Sequence, residues 1–195
     1  MHGTRNWALE SPMPSVNGGL TRQTRALARL PDEERVFLAC VEDILQAAPG
    51  LNYTRDVEPP SPSRNGRPFA TLTIETNPLC NLTCSLELGA KALAIVINGR
   101  RFDRKRGPAI PYEWWVERRC RDVMALAGGD LRIEINSTLA QVTACRLSAG
   151  GDRKWRVLGT YDNGWISALG YLLPFGVMML SREHTDQYSD WFDVS

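Results

Sequence analysis

Val36, Phe37, Cys40, Val41, Ile44 and Leu45 recur at spacings of one, three and four and make one apolar stripe at the helical period. The spacing predicts a helix within residues 31–50. Asp32, Glu33 and Glu34 fall in its first turn, where the helix dipole favours negative charge, and Pro49-Gly50 stops it. A second stripe, Trp115, Val116, Cys120, Val123, Met124 and Ala127, predicts a helix ending at Gly128-Gly129.

Between and after these stripes the period changes to two. Leu72 and Ile74 alternate with Thr71, Thr73 and Glu75, and Leu82, Cys84, Leu86 and Leu88 alternate with Thr83, Ser85 and Glu87. Both are patterns of half-buried antiparallel strands, joined by the turn "NPLCN". "ALAIVIN" (92–98) is apolar on both faces and predicts a central strand closed by Asn98-Gly99. "DLRIEIN" puts Leu131, Ile133 and Ile135 inward, and "LAQVTACRL" and "RKWRVLGTY" predict two more strands joined by "SAGGD".

The predicted order is helix, three strands, helix, three strands. This αβββ-αβββ order implies an α+β fold of two layers: a mostly antiparallel sheet of about six strands with one face covered by both helices. Residues 31–163 form that domain. Residues 1–30, with four arginines, one glutamate and no sustained period, read as a flexible tail, or else as a basic targeting peptide. The connector 51–68 holds four prolines and reads as an exposed loop. The stretch 164–181 has no charge over eighteen residues but contains three glycines and Pro174, which make it a poor membrane span. With the acidic, aromatic residues that follow, 164–195 is expected to pack on the domain or to serve an interaction.

Composition narrows the class. A chain of 195 residues is long enough to bury roughly 70% of its unfolded surface, so neither a disulfide nor a metal is required for stability. The net charge of +1 argues against a dedicated nucleic-acid binder but permits a local basic patch. Five cysteines and two distant histidines offer no set of zinc ligands, and no metal is expected. The start "MHGTRNWALESPMPS" has no apolar core of secretory type, so reduced thiols and a cytoplasmic location are expected. A Cys80–Cys84 bridge is the alternative for that pair.

Chemistry is sparse. The chain has no phosphate-cradling glycine loop, no GxSxG and no HExxH, so no cofactor is expected. Glu75, Glu87 and Glu134 lie on the polar faces of predicted strands and would serve acid–base chemistry if brought together in a cleft. Outward alternation on any half-exposed sheet is the simpler account.

The densest feature is "RRFDRKRGPAIPYEWWVERR" (100–119), with ten charged residues, seven of them positive. Arg100, Arg101, Arg104, Lys105 and Arg106 precede the second helix, which adds Arg118, Arg119 and Arg121, with Trp114 the tryptophan outside its buried stripe. Guanidinium forks suit phosphate oxygens, and a tryptophan beside them offers a stacking surface. Glu117 dilutes the patch by pairing with Arg121 at i,i+4. A solvated loop running into a salt-bridged helix is the simplest reading. The expected function is that of a small non-catalytic protein that binds another protein, as an adaptor, antitoxin or immunity protein does. Nucleic-acid or phosphate-ligand binding through 100–121 is the alternative, and a carboxylate enzyme the weaker one.

Overall fold

The computed structural model describes residues 16–61, 67–138, 141–151, 154–162 and 181–192. The alternation over 70–97 builds the first sheet. Strands β1 (Tyr53–Val57), β2 (Ala70–Ile74), β3 (Cys84–Gly89), β4 (Ala92–Ile97) and β5 (Arg100–Lys105) pair in sequence order, each antiparallel to the next. Leu72, Leu86, Ile95 and Phe102 align in one cross-strand row and Ile74, Cys84 and Ile97 in the next, all at most 2% exposed. β4 is paired on both sides, as its two-faced apolar run predicts.

Three segments differ from the sequence reading. The stretch expected as a basic loop is strand β5. Asn98 and Gly99, at φ 48° and 74°, make a two-residue connection between paired Ile97 and Arg100, which is the left-handed geometry of a tight hairpin. Phe102 is the inward residue that anchors the strand. The connector contributes β1, whose Val57 is buried. The tail expected over 1–30 carries helix α1 (Val16–Ala28), and Ala26 and Leu30 are each 4% exposed in the core. Gln23 Nε2 donates to the carbonyl of Arg55 in β1 at 2.9 Å. Residues 1–15 lie outside the described residues.

The second sheet has the order β8-β7-β6-β9: β6 (Asp130–Thr138), β7 (Gln141–Gly151), β8 (Lys154–Asp162) and β9 (Ser181–Tyr188), all antiparallel. Leu131 and Ile133 point inward with Leu147 and Ala149, as the alternation predicts. β9 pairs with the edge of β6 that β7 leaves open. Beyond it Trp191 is fully buried and donates Nε1 to the carbonyl of Gly129 at 3.1 Å, and Phe192 bridges to Thr76. Residues 181–192 of the C-terminal stretch are thus paired with β6 or packed at Trp191. Residues 163–180, nearly all of the uncharged run, lie outside the described residues. Among the described residues no helix is long and apolar enough to cross a membrane.

The α+β class holds, with two antiparallel sheets in place of one and α1 added to helices α2 (Asp32–Ala47) and α3 (Tyr112–Gly128). One buried cluster joins α2, α3 and both sheets. The sheets meet where β8 crosses β5. A Cβ on Gly159 would stand 2.8 Å from that of Phe102, so this approach requires glycine.

Both helices are rotated relative to the predicted stripes. Val36 and Met124 are 58% and 51% exposed, while Leu38 and Leu126 are buried. On α3 the buried face runs Trp115, Arg119, Asp122, Leu126, a spacing of four, three and four. Two charged residues thus sit on the side of α3 that faces the protein. That displacement builds the site.

Candidate functional site

The N-terminal half of α3, β5 and β8 enclose a cleft of about 480 Å³. Its floor is a buried ion network. Arg119 Nη1 lies 2.8 Å from Asp122 Oδ2 one turn along, and the two side chains are 6% and 4% exposed. Arg156 reaches in from β8 and donates Nε to Asp122 Oδ1 at 2.6 Å. One aspartate therefore answers two guanidinium groups. The compensation at Arg119 is incomplete. Among the described residues its Nε has no hydrogen-bond partner, and the close approach of Nη1 to Asp122 lacks the alignment of a hydrogen bond. Burial pushes the Arg119 guanidinium below its usual range, Asp122 opposes this, and the charges of Arg104, Arg118 and Arg156 add to it.

The walls and rim come from sequence-predicted residues. Arg104 extends from the inner side of β5 and donates Nε to the carbonyl of Leu158 at 3.1 Å and Nη2 to that of Val157 at 3.2 Å. These bonds fasten β5 to β8 with a cation. Arg118 lies over the ring of half-exposed Trp114, 5.5 Å from its centroid. Arg121 pairs with Glu117 at i,i+4 as expected, with both side chains 58% exposed. Five arginines line the cleft against Glu117 and Asp122, an excess of three positive charges.

Of the sequence-predicted binding residues, the structure brings Arg104, Trp114, Arg118 and Arg121 together and places Arg100, Arg101 and Arg106 elsewhere. Alternation along β5 sends Arg101 to the opposite face of the sheet, where Glu87 of β3 and Asp103 neutralise it. Arg106 donates to the carbonyl of Ile110 at 2.7 Å and lies over Tyr112. Tyr112 in turn donates its hydroxyl to the carbonyl of Glu33 at 2.9 Å, tying α3 to α2, and burial raises its pKa to about 12. Arg100 stands at the far end of β5, beside Cys145 and Tyr188. Lys105 ends β5, and its side chain lies outside the described residues.

Asp122 and Arg156 escaped the sequence reading, and Arg119 was counted in the basic patch without its burial being foreseen. A strict count from Trp115 through Leu126 puts Arg119 and Asp122 on the buried face, which was the available signal. Arg156 carried none.

The carboxylates do not converge. Glu87 pairs with Arg101, and Glu134 pairs with Arg132 and Arg146 on the other sheet. Glu75 lies just beyond the end of β2, whereas Glu87 sits opposite Thr71 near its start. Among the described residues no three His, Cys, Asp or Glu side chains are grouped as metal ligands. All five cysteines are free, Cys80 and Cys84 included. No family model, curated protein or solved structure matches this chain.

Proposed function

We propose that this protein is a non-catalytic binding protein whose α3 cleft receives an acidic segment of a partner protein. The observation that carries the reading is the local excess of three positive charges in a bounded concavity, on a chain whose net charge is only +1. A long polyanion calls for an extended basic track. Here the basic stretch is divided, because Arg101 is neutralised on the other face and Arg106 is held by its own loop. Trp114 and Arg118 at the mouth belong to the residue types that anchor protein interfaces. The setting we read for it is the cytoplasm, in keeping with five free thiols.

The test is fluorescence anisotropy with a labelled octaglutamate peptide. Binding at low salt that weakens as salt rises is expected, with at least a tenfold loss in the double variant Arg118→Ser/Arg121→Ser, whose side chains lie at the rim. No binding at low salt, or equal binding by the double variant, refutes the proposal. Tighter binding of single-stranded nucleic acid, with a salt slope of roughly −0.7 per phosphate contacted, would transfer the cleft to the nucleic-acid reading.

A further inference from the structure

Resting on that reading, we infer that the acidic group the cleft takes is a phosphomonoester on the partner segment. The argument starts from charge. A single carboxylate brings one negative charge to a cleft with an excess of three, whereas a phosphomonoester brings about −1.5 to −2 near neutral pH, on three acceptor oxygens. The floor demands concentrated charge. Arg119 is buried, shares the carboxylate of Asp122 with Arg156 and feels the repulsion of Arg104, Arg118 and Arg156. Among the described residues its Nε and Nη1 are buried without a hydrogen-bond partner, and so is Asp122 Oδ2, so the network leaves two buried donors against one buried acceptor.

The rim supplies the direct contacts. The Arg156 and Arg121 side chains are 41% and 58% exposed and are held by Asp122 and Glu117 through Nε and Nη2 respectively, so that their other N–H groups are the donors offered to phosphate oxygens. The Arg118–Trp114 pair at the mouth offers a flat shelf to an aromatic ester group. The charged groups facing the ligand are Arg104 from β5, Arg156 from β8, and Glu117 and Asp122 from α3. Arg118, Arg119 and Arg121 complete the set. Among the described residues no histidine lines the cleft, so the pH dependence near neutrality is assigned to the phosphate itself.

The probe is a neutral Gly/Ser octapeptide carrying one phosphotyrosine, compared with the same peptide carrying glutamate there, by calorimetric titration at constant ionic strength. The phosphopeptide is expected to bind at least tenfold tighter at pH 7.5. That advantage should shrink several-fold by pH 5, because the phosphate's second ionisation lies near pH 6 and the monoanion is the weaker ligand. Arg118→Gln and Arg121→Gln should each weaken the phosphopeptide three- to tenfold without changing the melting temperature.

Equal affinity for the two peptides, or no change with pH, overturns the inference. If octaglutamate still binds in that case, the acidic-segment reading survives alone; if it does not, both fall. Free phenyl phosphate binding more tightly than the phosphopeptide would assign the cleft to a small phosphoester and overturn the peptide source. Unchanged affinity in both arginine variants would place the phosphate outside this cleft.

Discussion

Arg156 of β8 and Asp122 of α3, 34 residues apart in sequence, meet through a 2.6 Å hydrogen bond that joins the second sheet to the helix above it. Asp122 is also the counter-charge of Arg119, so this one carboxylate holds together both the packing of α3 and the floor of the cleft.

Removing the carboxylate therefore exposes its role. Asp122→Ala leaves Arg119 buried with no opposite charge, and breaking a buried pair this way costs about 3–5 kcal/mol. The double variant Arg119→Met/Asp122→Leu removes charge and counter-charge together and is expected within about 1 kcal/mol of the natural protein. Urea denaturation of the three proteins measures the difference. A double variant as unstable as Asp122→Ala would show that the apolar surroundings, not the charges, hold the helix there.

The crossing of the sheets rests on a missing side chain. Gly159→Ala would place a Cβ 2.8 Å from the Phe102 Cβ and 3.3 Å from its backbone carbonyl, against atoms that cannot swing away. A loss of about 1–3 kcal/mol is expected, in the range of overpacked cores. Because Arg104 bonds to the neighbouring carbonyls of Val157 and Leu158, the same variant should lower octaglutamate affinity. Gly89→Ala is the control: its Cβ would meet nothing nearer than 3.5 Å, and both stability and binding should hold.

A chain beginning at Pro31 tests the first helix. Without α1 the core loses Ala26 and Leu30, and the carbonyl of Arg55 loses Gln23. Burial of one leucine is worth about 2 kcal/mol and the hydrogen bond about 1. A lower urea midpoint is expected; an unchanged one would show that the helix adds nothing to stability.

Much of the fold was legible along the chain. Period-two patterns at 71–75, 82–88 and 131–135 assigned inward and outward residues correctly. The reason is local: a strand alternates its side chains across the sheet whatever lies beyond it, and an inward Leu, Ile or Cys needs apolar neighbours. The α+β class followed from two helical stripes set among those strands.

What the chain alone did not reveal depends on partners distant in sequence. β1 and β5 are polar strands whose pairing comes from β2 and β4, and Asn98-Gly99 was read as closing β4 with no strand expected beyond it. β9 joins β6 only because an edge of that strand was open, and its own pattern, "SREHTDQY", has no apolar stripe. The site is the clearest case. Trp114, Arg118 and Arg121 were identifiable as exposed positions of one helix, because neighbours on a helix face are set by its period. Arg119 and Asp122 on the buried face, the arrival of Arg156 from β8 and the departure of Arg101 to the opposite face of the sheet were decided by tertiary packing. A buried charge is tolerated only where a counter-charge reaches it: α3 itself offers Asp122 to Arg119 one turn along, but the burial of that pair and the arrival of Arg156 at the same carboxylate required α3 and β8 to be placed against each other.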